Sequence, residues 1–548
     1  MNTFEAPPRT VRVADLPPPF TPSLPQQPKR ATVASMSMVV PIIPAVAAPR
    51  SAGPMVQQVP ASAFATAAAT TAAPATTAPT RPRVDMDAVK RRVALFLVVM
   101  MLAAGGVYAY QRWVPGGPPH PDAWDPRVVP IVEFVQQARG LRFEHPIFVD
   151  FLTEAQYGAA AGGAASSAVA DPDAEVAADA SSDLLDAFGL AVRTNRVAAD
   201  ATIASAATLG YYTPTADRIE VRGDHLTPAV RVVLAHELTH ALQAQHFDLE
   251  GRAGNLVLRA VAEADAMRIE REYEDRLPPK EQAAAVAGNT LDTESAGQLA
   301  KVPWPLVEMT YAPYALGPAL VATVFDARGN DGVDLLFRSP PTEAQLLSPW
   351  KWSPGVDATA VAVTATAPPA TTAVGASEPL SMLQLLVMLD AWLPWSMARG
   401  SLDTLQGAAF VPYRPTPDGP VCAAVTANFA GGAQKFAEAV RWWAGASASK
   451  ARPVVHGDAV TFNTCPRGRH ATAPPNPAVG PNTELLVENS AIPGTVRDQR
   501  AAVPYLCMVR QLIDDPAVGP LLARPVRSPA EQAVIDQASG AARQRCHG

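Results

Sequence analysis

Thr227-Pro228-Ala229-Val230-Arg231-Val232-Val233-Leu234-Ala235-His236-Glu237-Leu238-Thr239-His240-Ala241-Leu242 decides how this chain is read. Thr227 is an N-cap residue type and Pro228 suits the first helical position, where its missing N–H costs nothing, so the stretch predicts a helix starting there. A helix turns about 100° per residue, which stands His236 and His240 one above the other, both able to offer a ring nitrogen to one ion. Glu237 is too close in sequence to share their ligand geometry, but it is placed to take a proton from a water at that ion. Two interior histidines on an apolar face would explain the pair alone. With nine His in 548 residues, their placement around a Glu in a capped apolar helix favours a metal centre.

Catalytic zinc keeps three protein ligands and one open position, so a further ligand is expected downstream. His246 gives His236-x3-His240-x5-His246, the spacing of metzincins. That family leaves the helix through a Gly after the second His; here the position is Gln243, which takes a left-handed turn poorly. If the helix continues, His246 lies about 15 Å further along the axis than His236 and out of reach. Glu263, in the Ala-rich run Leu258 to Met267, is the preferred third ligand: the run has good helix propensity, and small neighbours let two helices approach closely. Asp265 points to another face and is either the partner of a ligand His or solvated. Glu270 and Glu272, within the alternating charges of Arg268 to Arg276, read as a solvated helix face.

A His-Glu-x-x-His helix followed by a helix carrying the ligand Glu resembles the gluzincin, or thermolysin-like, class of zinc peptidases. Several stretches are similar to a group of bacterial membrane-associated gluzincins: Gly210-Tyr211-Tyr212-Thr213-Pro214, Arg218-Ile219-Glu220-Val221, Gln243-Ala244-Gln245-His246-Phe247-Asp248-Leu249, Glu263 to Ala266, and Pro341-Thr342-Glu343-Ala344-Gln345-Leu346-Leu347. The resemblance covers roughly Val128 to Trp352, departing at Ala264, where Gly is expected, and at Thr342, where Ser is expected. It implies Zn2+ held by His236, His240 and Glu263, with Glu237 as general base, and a peptide or protein substrate. It also implies an edge strand beside the metal that pairs with extended substrate, Tyr212 and Ile219 being its candidates. Tyr311 or Tyr314 is a candidate to steady an oxyanion, although a buried structural Tyr is an ordinary alternative.

The remaining sequence sets the organisation. Residues 1–92 hold ten Lys or Arg and four Asp or Glu, a net +6, so of the overall −7 the rest carries −13. No basic stripe marks that larger part, and nucleic acid is not expected as a partner. The same tail is dense in Pro, Ala and Thr and predicts disorder. Residues 93–110 form an uncharged run of eighteen behind Lys90-Arg91-Arg92, which predicts a single transmembrane helix with the N-terminus cytoplasmic and the catalytic part outside. A cleaved signal peptide starting at Met86 would export the same domain. A metallopeptidase domain is expected over 111–353, containing a surface insertion at 158–182 and a helix over 184–206. A linker follows over 354–379, then an α+β lobe over 380–548 in which Trp442 and Trp443 read as core. Cys422 with Cys465 and Cys507 with Cys546 is the simplest of three disulfide pairings.

Together these readings predict an α+β fold, with a mostly helical zincin-type domain and small edge sheet, in a membrane-anchored, extracytoplasmic bacterial zinc peptidase. The rival from another class is a catalytically silent zincin-fold envelope scaffold or binding protein, against which the intact His236, Glu237 and His240 weigh. A third reading, a cytoplasmic regulator, requires 93–110 to be a buried core helix.

Overall fold

A computed structural model describes residues 119–153, 156–157, 182–191, 198–199, 202–203, 209–249, 255–289, 293–352, 361–468, 470–475, 477, 479–492, 499–524 and 527–547. The tail, the span at 93–110 and nearly all of the insertion expected at 158–182 lie outside them. Among the described residues no helix is long and apolar enough to cross a membrane.

The fold is α+β. Helix α1 (Val129–Arg139) ends at Gly140, whose φ of +74° suits a helix C-cap. A three-stranded sheet follows, from β1 (Phe148–Leu152), β2 (Gly210–Thr213) and β3 (Arg218–Arg222), in the order β1-β3-β2. β3 is central, parallel to β1 and antiparallel to β2. Helix α2 (Pro228–His246) begins as predicted, the Thr227 hydroxyl accepting the Val230 N–H at 3.2 Å. One face of α2 packs Val230, Leu234, Leu238, Ala241 and Leu242 against Ile131, Val135, Ile219 and Val221. That apolar face fixes the rotation of α2 and turns His236 and His240 away from the sheet.

They turn toward α3 (Leu256–Asp275), which Asn255 caps by accepting the Val257 and Leu258 N–H groups at 3.0 Å each. α4 (Pro279–Gly288) and α5 (Thr293–Leu299) lead into α6 (Trp304–Arg338), which breaks at Gly329 with φ +61°. α6 lies on α3 at very short range: a Cβ on Gly317 would sit 2.0 Å from the Ala260 carbonyl oxygen and 2.9 Å from the Ala264 Cβ. The small residue that allows this approach is therefore Gly317 on α6, and the position next to Glu263 tolerates Ala264. A buried ion cluster ties the three helices together, the Arg139 guanidinium donating to Asp265 and Asp334 at 2.6 Å each. Removing Arg139 alone would take the bridging charge from two carboxylates, leaving Asp265 to Arg268 and Asp334 to Arg338.

α7 (Glu343–Leu347) carries a Thr342–Gln345 capping box, and the Glu343 carboxylate accepts the Met382 and Leu383 N–H groups at 2.8 and 2.9 Å. The Pro341 to Leu347 stretch thus works as a structural joint, capping α8 (Met382–Asp390). After α9 (Trp395–Gly400) comes a larger sheet of β4 (Thr372–Ala373), β5 (Glu378–Pro379), β6 (Leu405–Arg414), β7 (Cys422–Phe429), β8 (Val454–His456) and β9 (Ala459–Thr464). Its order is β4-β6-β7-β9-β8, and β5 also pairs with β6. α10 (Ala433–Ala446) covers it; Trp443 is fully buried and Trp442 is 58% exposed, so only the first belongs to the core. α11 (Pro481–Ser490), α12 (Gln499–Asp514), α13 (Gly519–Leu522) and α14 (Pro529–His547) complete the chain. Disulfides join Cys422 to Cys465 and Cys507 to Cys546, the simplest pairing.

Two expectations need correction. The stretch 354–379 does more than link, since β4 and β5 lie within it and the Ala365 side chain is buried against β6 and β7. One apolar cluster takes in Leu185, residues of α3, α6, α8 and the larger sheet, and Ile513. The helix expected over 184–206 is interrupted: residues 182–187 are helical and end in a turn at Gly189, φ +74°, where a Cβ would lie 2.9 Å from the Trp392 ring nitrogen, and helical residues recur at 198–199 and 202–203.

Glu308, near the start of α6, accepts the Asn482 N–H at 3.1 Å in the first turn of α11. Burial pushes its carboxyl up to about 7, and the Asn482 amide offsets only part of this. The folded protein then holds this proton more tightly than the unfolded chain, so stability falls as pH rises from about 4.3 through 7. Glu308→Gln keeps an acceptor for Asn482 and cannot ionise. It is expected to raise stability by about 1–3 kcal/mol at pH 8 and to change it little near pH 4, read from denaturant midpoints at both pH values.

Candidate metal centre

The rotation of α2 set by its apolar face and the close packing of α3 bring three acceptor atoms to one point. His240 Nε2 lies 3.0 Å from His236 Nε2 and 3.2 Å from Glu263 Oε2, and His236 Nε2 lies 3.5 Å from the same oxygen. Ligand atoms about 2.0–2.1 Å from a tetrahedral zinc lie about 3.3–3.4 Å apart, which these separations match within a few tenths of an ångström. Among the described residues this is the one group of His, Cys, Asp and Glu with ligand-forming atoms so close together.

The opposite ring nitrogens are also engaged. His236 Nδ1 sits 2.9 Å from Glu270 Oε2, and His240 Nδ1 sits 3.1 Å from Gln243 Oε1. Both partners accept, so each ring carries its hydrogen on Nδ1 and leaves the Nε2 lone pair for the shared point. Glu270 is therefore no solvated charge but the partner of the first His. Seven residues separate it from Glu263, two helical turns on one face, and that spacing is the signal the charge pattern masks. Gln243, three residues after His240, is fully buried and was considered only for its turn propensity.

Asp265 proves neither solvated nor directly bonded to a ligand. It is fully buried and accepts from Arg139, from Arg268 at 2.8 Å and from Gln243 Nε2 at 3.1 Å. His246 caps the far end of α2, its Nε2 donating to the Arg142 carbonyl at 2.7 Å, away from the centre. Glu272 pairs with Arg276 at 2.8 Å near the surface, as its charge pattern suggests.

Glu237 Oε2 accepts the backbone N–H of Tyr212 at 2.9 Å. Strand β2 is the sheet edge, so its outward amide holds this carboxylate in place. The Tyr212 hydroxyl donates to Asp217 at 2.9 Å, which fixes the hairpin. Ile219, by contrast, lies on the central strand with its side chain in the core and belongs to no edge. Of the two tyrosines on α6, Tyr314 lies near Glu263, and burial together with that carboxylate pushes its phenol up, so it remains a donor. The Tyr311 hydroxyl is buried with no hydrogen-bond partner among the described residues.

Electrostatics favour a cation. Burial resists ionisation of Glu263, yet the imidazoles of His240 and His236 hold its carboxyl far below the usual range. Burial pushes the Glu237 carboxyl up while the same imidazoles pull it down. Burial would depress both histidines, but Glu263 and Glu270 outweigh it at His236, and Glu263 does so at His240. With neutral rings, the carboxylates of Glu263 and Glu237 leave net negative charge beside the point, and Glu270 adds to it from behind His236. The charged side chain opposing them is Arg259, 3.9 Å from Glu263 Oε1 and half exposed. A divalent ion relieves that imbalance. Comparison of the chain with protein-family models, with curated proteins and with solved structures returns no match.

Proposed function

We propose that this chain is a zinc-dependent peptidase. The observation that carries the reading is the convergence of His236 Nε2, His240 Nε2 and Glu263 Oε2, with their partners Glu270 and Gln243 behind them and Glu237 beside them. Two nitrogens and one carboxylate oxygen are the donor set of a hydrolytic zinc site that keeps one position open. When bound, zinc supplies Lewis acidity at a carbonyl and at water. Glu237, held by the Tyr212 amide, takes the proton of the attacking water and passes it to the leaving amine. The Tyr314 hydroxyl stands at Glu263 as the donor for a developing oxyanion.

The two disulfides fit an oxidising compartment, which supports an exported catalytic part tethered by residues 93–110. The purified full chain is expected to hold about one zinc per molecule by elemental analysis. Hydrolysis of a mixed peptide library should vanish with a chelator and return with zinc. A chain that takes up no zinc under any loading condition overturns the reading and leaves a silent scaffold of the same fold.

A further inference from the structure

We propose that Gln243 and Asp265 are positioning residues that together dictate which nitrogen of His240 carries its hydrogen, an inference resting on the metal-site reading above. The argument runs outward from the ring. An amide has one end that donates and one that only accepts, and Gln243 must commit each end to a neighbour. Its Nε2 has two acceptors, Ala262 O and Asp265 Oδ2, each at 3.1 Å. Asp265 cannot reverse this bond. It is fully buried and takes Arg139 Nε at 2.6 Å and an Arg268 guanidinium nitrogen at 2.8 Å, and between two guanidinium groups a carboxylate stays ionised and only accepts. The Gln243 Oε1 is thereby turned to His240 Nδ1, where it can only accept. His240 is left with its hydrogen on Nδ1 and a lone pair on Nε2, the tautomer a metal requires.

The two histidines reach the same state by different routes. Glu270 acts on His236 directly with a charge. His240 is set by a neutral amide whose orientation is imposed by a buried carboxylate one step away. Arg139 and Arg268, on α1 and α3, hold the far end of this chain of bonds, and Arg268 also donates to Asn330 on α6 at 2.9 Å. The packing of three helices is thus transmitted to the protonation pattern of one ligand.

The test measures zinc affinity of the full chain by competition with a chromophoric chelator, for wild type, Gln243→Met, Asp265→Asn and the double variant Asp265→Asn/Gln243→Glu. Gln243→Met fills the same space and accepts no hydrogen bond. Asp265→Asn removes the obligate acceptor at Gln243 Nε2 and can donate to Gln243 Oε1, which favours the flipped amide against the hold of Ala262 O and moves the His240 hydrogen to Nε2. Each single variant is expected to weaken zinc about 10–100-fold. In the double variant the introduced carboxylate at position 243 accepts from both His240 and the introduced amide at position 265 while losing the donor to Ala262 O, and zinc affinity is expected to recover about threefold or more over Asp265→Asn alone, a recovery that loss of packing does not predict.

Folded Gln243→Met with wild-type affinity overturns the proposal, as does a folded double variant that binds zinc no more tightly than Asp265→Asn. If Asp265→Asn fails to fold for want of a partner for Arg139, Gln243→Met alone decides. A wild type with no zinc affinity would sink the metal reading itself, whereas a zinc-binding wild type with unaffected variants sinks only this inference.

Discussion

Glu237→Gln is expected to keep zinc at wild-type stoichiometry and to lower turnover by about 10²–10⁴-fold, the range that a positioned general base supplies. The substitution is nearly isosteric, and the amide oxygen can still accept the Tyr212 N–H that the Glu237 carboxylate accepts at 2.9 Å. What it loses is the ability to take a proton. Because Glu237 is 9% exposed and burial disfavours its charge, the neutral amide should fold at least as stably as the wild type. Three readouts separate the roles: zinc content, the melting temperature, and kcat against KM on a cleaved peptide. A fall in kcat with KM, zinc and melting temperature unchanged marks a group acting in the transition state. Hydrolysis at the wild-type rate would remove Glu237 as the base and the mechanism with it.

How much of this was legible depended on whether the signal was local. Thr227, Pro228 and the His-Glu-x-x-His spacing are read within one helix, so α2, its start and the stacking of its two candidate ligand histidines follow from neighbouring residues. Glu263 was legible for a related reason, since an Ala-rich helix next in sequence has few other places to pack. The partners behind the ligands were not. Glu270 sits among Arg268, Arg271 and Glu272, and only the orientation of α3 against α2 selects which of those charges meets His236. Gln243 belongs to the same helix as His240, yet its importance comes from Asp265 and Arg139, more than a hundred residues apart in sequence.

The two short strands within 354–379 were not legible, because their pairing is long-range. Thr372–Ala373 and Glu378–Pro379 are two-residue strands with no periodicity of their own, and β6 decides their conformation from thirty or more positions downstream. A stretch rich in Ala, Thr, Val and Pro therefore read as a spacer. The small residues beside Glu263 were read as letting α3 approach α2, and nothing in that reading pointed to the close approach of α6 to α3. That approach depends on Gly317, which no pattern within α3 could announce.

The complementary expectation concerns Glu263. Glu263→Ala should leave the full chain with well under one zinc per molecule, weakened by more than the 10–100-fold that removing a supporting residue costs. Two histidines alone supply half of a tetrahedral set, and the carboxylate also contributes the charge that makes a dication favourable there. The structure narrows what can replace it. His246 is committed to the Arg142 carbonyl at the end of α2, and Glu270 lies on the Nδ1 side of His236, facing away from the shared point. Glu237 is the carboxylate left within reach, and recruiting it would abolish catalysis even if some metal stayed. Residual zinc without hydrolysis in Glu263→Ala is thus compatible with the assignment, whereas wild-type affinity and activity would place the third ligand elsewhere. Glu263→Gln separates the two contributions, because it keeps an oxygen at the same position and discards the charge. Intermediate affinity there, between wild type and Glu263→Ala, would show that geometry and charge each hold part of the ion.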